Sequence, residues 1–230
     1  MDPHLSSIAT LAWCRALGLA DNALTTPGAV LRVDATTRTL RILRVGEAVA
    51  VVGPESAVSA IAELTPDRID ETAVRDATGG RAVRIEDLGL CADWVDATRV
   101  RDPLVSHEAE DLAELLRHCP PDDVTETDLP LAWPSRSFVL LDDDRRPLAG
   151  AGYRELHSLL ADVRVISAPE YRRIGLAATV TTLATHDALD TGLIPMSRVR
   201  RGNAAARGLA AVSGYTEWGT QMTVRLPADP

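Results

Sequence analysis

Residues 163–178 read VRVISAPEYRRIGLAA, and the fold of the surrounding half of the chain turns on how that stretch is understood. The alternating β-branched residues of 163–167 make a strand. Pro169 ends it, because proline offers no N–H to a ladder. A helix is expected from about Arg173, since Ile174, Ala177, Thr181, Ala184 and Ala188 recur every three to four residues and Gly192 closes the run. A helix start leaves main-chain N–H groups unpaired and carries the positive end of the dipole, so it attracts phosphate. Gly175 brings no Cβ to obstruct an approaching group, and Arg172 and Arg173 add positive charge. The physical reading is a pyrophosphate cradle made of main chain. The plainer alternative is a tight strand-to-helix turn whose small residues serve packing.

Working outward, residues 137–156 (SFVLLDDDRRPLAGAGYREL) read as two strands around an acidic hairpin with its turn at 142–147. The three carboxylates there suit a solvated tip better than a divalent cation. HEAEDLAELLRHC (107–119) is a helix with Leu112, Leu115 and Leu116 on one face, and 120–129 is a loop with a short helix. Strand ADVRVIS (161–167) is followed beyond the helix by strand PMSRVRR (195–201), helix NAAARGLAAVSG (203–214) and strand TEWGTQMTVRL (216–226). Upstream, residues 1–92 offer an amphipathic helix, strands VLRVD, TLRILRV and AVAVVG, and a helix whose first turn holds Pro54 and whose buried stripe is Val58, Ile61 and Leu64. The TGG at 78–80 reads as a turn, because no Lys-Ser or Lys-Thr follows it. Two α/β domains are therefore expected, 1–92 and 93–230. The first has no legible role, and its rhythm of elements allows a degenerate copy of the second.

The formal charge of −9 argues against a phosphate-backbone binder, so no nucleic-acid partner is expected. Over residues 93–230, fifteen arginines face twenty-one carboxylates, a net of −6, which leans toward a cationic acceptor, small molecule or peptide. The three cysteines are far apart with no CxxC pair, so neither a disulfide framework nor a cysteine-based metal site is expected. The N-terminus lacks a basic region ahead of an apolar core, and no apolar run approaches the roughly 20 residues of a membrane span. A soluble, cytoplasmic protein without membrane contact is the expectation.

Residues from about 95 to 226 resemble the GNAT superfamily of acyl-CoA-dependent N-acetyltransferases. Its fingerprint, Arg or Gln, two residues, Gly, one residue, then Gly or Ala at a helix start, is matched by Arg172, Arg173, Ile174, Gly175, Leu176 and Ala177. A second element stands at family spacing: Asn203 opens a helix that Gly214 and Tyr215 end. The resemblance implies a mixed, mostly antiparallel sheet, splayed between ADVRVIS and PMSRVRR and flanked by helices, that transfers an acetyl group from acetyl-CoA to a primary amine by direct attack. It places pantetheine along the main chain of Val165, Ile166 and Ser167, and pyrophosphate on the N–H groups of Arg173, Ile174, Gly175, Leu176, Ala177 and Ala178. Asn203 and Arg207 are implied as contacts to the pantetheine arm or the phosphates. Many members place a Tyr acid seven residues after the Asn, where this chain has Ala210, leaving Tyr215, Ser213 or water as proton donor. Asp162 stands within one residue of a family base position, and Glu155 and His157 are expected on the adjacent strand. A homodimer is compatible with the extra N-terminal domain. The competing reading is an acyl-CoA-binding interaction protein of the same fold with weak or no turnover.

Overall fold

In the computed structural model, which describes residues 2–80, 82–129 and 136–227, alternating and helical apolar spacings resolve into ten strands and seven helices among the described residues. They fall into two units: the chain up to Leu88 together with the segment from Glu217, and the chain from Gly89 to Thr216.

The first unit begins with α1 (Pro3–Ala16), capped by the Asp2 carboxylate accepting from His4 N at 2.8 Å. Strands β1 (Gly28–Val33), β2 (Thr39–Val45) and β3 (Ala48–Gly53) follow, and β3 is buried at all six positions, as a strand covered on both faces should be. Helix α2 (Glu55–Ala62) takes Pro54 as its N-cap. Helix α3 (Glu71–Thr78) and strand β4 (Ala82–Leu90) were not legible in the sequence. The TGG turn is the end of α3, where Gly79 adopts φ +64° as the C-cap. Leu40, Ile42, Val49, Val51, Val58, Ile61 and Val74 form the core of this unit.

The second unit runs β5 (Leu104–Ser106), α4 (Ala109–His118), α5 (Pro121–Thr127), β6 (Ser137–Leu141), β7 (Pro147–Leu156), β8 (Leu160–Ser167), α6 (Leu176–Asp190), β9 (Ile194–Arg200) and α7 (Ala204–Val212). Its strands lie in the order β9-β8-β7-β6-β5. All neighbours are antiparallel except β8 and β9, and α6 is the crossover that a parallel pair requires. One face of this sheet packs Val180, Ala184 and Ala188 of α6 against Ala151, Tyr153, Ala161 and Val163. The other packs Leu112, Leu115 and Leu116 of α4 against Val139, Leu141 and Ile166. The last strand, β10 (Thr216–Arg225), pairs with β2 from Thr220↔Arg44 to Arg225↔Thr39 and so belongs to the first unit, whose strand order is β1-β3-β2-β10-β4. The second unit ends at Thr216, and the segment from Glu217 returns to the first.

Two further details differ from the sequence reading. Helix α6 starts at Leu176 rather than Arg173, because Arg173 and Gly175 adopt φ +65° and +92°, left-handed values that no helix continues through. His157 is not on a strand: with Ser158 it turns the β7–β8 hairpin at φ +52° and +55°. No helix among the described residues is long and apolar enough to cross a membrane.

Candidate active site

Strands β8 and β9 are in register only from Leu160↔Ile194 to Val163↔Ser197. Beyond that pair they part, while β8 remains paired with β7 through Ser167↔Ala149. A cavity of about 650 Å3 opens in the fork, lined by Val163, Arg164, Val165, Ile166 and Ser167 on one side and by Ser197, Arg198, Val199 and Arg200 on the other. Helix α7 contributes Ala205, Ala206, Leu209 and Ala210, and α5 contributes Asp123, Glu126 and Thr127.

The loop between β8 and α6 closes one end. A short 3-10 turn at Pro169–Tyr171 leads into Arg172 and the two left-handed residues, and no side chain caps the α6 start. The first main-chain helical bond is Thr179 N to Gly175 O at 3.1 Å, so the donors of Leu176, Ala177 and Ala178 precede it at the cavity wall. Gly175 is required for two reasons. Its φ of +92° is strained for any other residue, and a Cβ there would stand 2.5 Å from the Cβ of Arg99, whose stem lies across the loop. Arg172 is held by Asp123 on α5 at 2.6 Å and donates to Ser167 O at 3.3 Å.

Beneath the fork lies Asp162, 2% exposed. It accepts from Arg198 Nη2 at 2.7 Å and Nε at 3.2 Å, and it lies 3.1 Å from Arg164 Nε and 3.6 Å from Arg154 Nη2. Burial alone would push the Asp162 carboxyl up, but Arg164, Arg198 and Arg154 together hold it below its ordinary value. Strand alternation puts Asp162, Arg164 and Ile166 on the face that α4 and α5 cover. In a parallel pair facing residues share a side, so Arg198, two beyond Met196 opposite Asp162, joins them.

Of the residues expected from the sequence, Val165, Ile166, Ser167, Arg172, Arg173, Gly175, Leu176, Ala177, Ala178, Asn203 and Tyr215 line this one cavity. Asp162 stands behind its wall, Ile174 points out at 60% exposure, and Arg207 is exposed on α7. Asn203 caps α7, its Oδ1 accepting from Ala206 N at 2.9 Å and its Nδ2 donating to Glu126 at 2.7 Å. Tyr215 is buried with its hydroxyl 2.7 Å from Thr185 Oγ1, and burial pushes that phenol up. Glu155 and His157 are exposed and line nothing in this cavity; Ser213 is buried but also outside the wall. The sequence reading missed Arg164, Arg198 and Arg200. The available signal was three arginines at alternate positions of two strands that otherwise read as apolar.

A parallel pair that forks and an uncapped, glycine-led helix start thus meet at one cavity. Residues 106–215 match the model of the acetyltransferase (GNAT) family. Among solved structures it is similar to a GNAT-family protein from Novosphingobium aromaticivorans (21% identity, 66% of this chain and 67% of that one, TM-score 0.52). It is also similar to a functionally unknown conserved protein from Staphylococcus epidermidis (11%, 70% and 69%, TM-score 0.51). A GNAT-family acetyltransferase from Colwellia psychrerythraea gives 17%, 69% and 62%, with TM-score 0.49. The chain spans about two thirds of the length of these relatives. No curated protein matches it.

Proposed function

We propose that the second unit is an N-acetyltransferase that takes an acetyl group from acetyl-CoA to a primary amine. The observation that carries this reading is the fork: a strand edge without its ladder partner from residue 164 onward, meeting an uncapped helix start at the same cavity. The residues present fit the cosubstrate. Ser167 Oγ and Thr181 Oγ1, on residues of the cavity wall, are buried and find no hydrogen-bond partner, so the wall holds polar capacity that a ligand can use.

The main chain of Val165, Ile166 and Ser167 would hold the pantetheine amides as an added strand. The N–H groups of residues 173–178 would hold pyrophosphate, with Arg173 adding charge. Bound acetyl-CoA supplies a thioester open to attack by an amine. Main-chain N–H groups of β8 at the fork steady negative charge on the acyl oxygen. Asp162 is assigned a counter-ion's role, because a carboxylate held by three arginines is a poor proton acceptor. Tyr215, whose phenol is raised and tied to Thr185, is assigned to packing. Proton transfer is left to water, which the wall at Ala210 does not exclude.

Binding and turnover are tested separately. Thermal unfolding with excess acetyl-CoA should show stabilisation of about 2.7 kcal/mol at a hundred times its dissociation constant. Thiol release with an amine panel then reports transfer. Stabilisation without thiol release for any amine would favour the second reading, an acyl-CoA-binding protein without turnover, which the missing hydroxyl at Ala210 supports. No stabilisation would remove both.

A further inference from the structure

Four threonines on α6 are buried, and three of their hydroxyls have partners. Thr179 donates to Gly175 O at 3.2 Å, the bond to the carbonyl four residues back that Thr10, Thr78 and Thr125 also make in their own helices. Thr182 accepts from Ala97 N at 3.3 Å, and Thr185 pairs with the Tyr215 hydroxyl at 2.7 Å. The fourth, Thr181, is 4% exposed, and its hydroxyl finds neither a helix carbonyl nor any other partner among the described residues. A buried hydroxyl left unpaired costs the folded protein stability, so it marks a place that a ligand completes.

The place of Thr181 on the cavity wall narrows what that ligand group is. Leu176, Ala177 and Ala178 line the cavity from the first turn of α6, and Thr181 is the last α6 residue to reach it, about one turn further in. Because α6 runs back alongside β8, further in means toward Val163 and Ser197, the last ladder pair before the fork. Within the acetyltransferase reading, on which this inference rests, the phosphates take the first turn and the thioester takes the fork. The other hydroxyls at that end are engaged elsewhere: Tyr215 pairs with Thr185, and Ser197 Oγ lies against Gly89, 2.8 Å from where a Cβ there would stand. Ala210 supplies none. We propose that the Thr181 hydroxyl donates a hydrogen bond to the sulfur of the departing coenzyme. As the amine nitrogen bonds to the carbonyl carbon and the C–S bond breaks, sulfur keeps the electron pair, and the proton shed by nitrogen passes through water to sulfur or solvent. Threonine retains its own proton throughout. A thioester sulfur is a weak acceptor and a thiolate a strong one, so the bond gains strength as charge builds and favours the transition state over the bound substrate.

The test uses Thr181→Val, which keeps the branched shape and removes the hydroxyl, and Thr181→Ser, which restores it. Without ligand, Thr181→Val should melt at or above the wild-type Tm, because an unpaired buried hydroxyl is gone. A clear fall would show that the hydroxyl is partnered in the free protein and would overturn the proposal. With CoA bound, the thiol should ionise about one pH unit higher in Thr181→Val than in wild type, read from the ultraviolet absorbance of the thiolate, and Thr181→Ser should recover much of the difference. Thiol release from acetyl-CoA to an amine should fall about tenfold in Thr181→Val, with acetyl-CoA affinity little changed. The same thiol ionisation in wild type and Thr181→Val overturns the proposal even where CoA binding weakens, since the hydroxyl then serves the uncharged arm; the transferase reading survives that result. Failure of CoA to bind the wild type removes the transferase reading itself, and this inference with it.

Discussion

Replacing Gly175 by alanine puts the loop between β8 and α6 under two separate strains. The first is conformational: φ +92° lies in the region that a Cβ disfavours, at about 1–2 kcal/mol. The second is a collision, since the new methyl would lie 2.5 Å from Arg99 Cβ and 2.7 Å from its Cγ, atoms close to a main chain that is pinned by Arg99 N donating to Thr179 Oγ1 at 3.1 Å. Together they should destabilise the protein by about 2–3 kcal/mol. At two to four degrees per kcal/mol, that is a fall in Tm of about 4–12 °C by calorimetry. The two strains can be separated. In the Arg99→Gly background, which removes the Cβ as well as the stem, the collision is gone and only the dihedral cost remains, so a double-mutant cycle should return a coupling of about 1 kcal/mol. Acetyl-CoA should stabilise Gly175→Ala less than wild type, and Gly175→Glu, which adds a negative charge, not at all. A Gly175→Ala protein that melts like wild type and keeps the full ligand shift would refute the assignment of this loop.

Asp162→Asn leaves three arginines around a neutral amide and should cost about 3–5 kcal/mol in urea unfolding. Because the folded-state pKa of Asp162 is depressed, its contribution is present above the unfolded value near 3.9 and is lost as pH falls through the folded one. The asparagine variant should therefore show a shallower loss of stability below about pH 4. Ala210→Tyr places a hydroxyl on the cavity wall and, if proton donation limits transfer, should raise the rate of thiol release by roughly tenfold to a hundredfold; no gain would show that water already serves.

What the sequence disclosed was whatever depends on local pattern. The hairpin of β6 and β7, the apolar face of α4, and the strand-glycine-helix order of β8 and α6 follow from spacing and from residues with special dihedral preferences. Helix α3, with one buried residue, Val74, carries too little apolar periodicity to be seen. Strand β5 is three residues long. The site divides the same way. The loop of residues 172–178 is contiguous and so is its signal, whereas the arginine cluster unites Arg154, Asp162, Arg164 and Arg198 from three strands, and its partners are set by register. Asp162 looked like a base because a sequence shows the carboxylate without the guanidinium groups that hold it. Net charge says little about the site for a related reason: it averages over surface that never meets the cavity.

The pairing of β10 with β2 bears on how the protein is made. The second unit is one unbroken stretch of chain, and its residues are translated ahead of those of β10. The first unit must wait with β2 unpaired on one side until that last strand appears, some 170 residues after β2 ends. The sequence of the second unit is thus complete before that of the first, and the unit encoded first is finished last. Until then its β2 edge remains open to other extended chains.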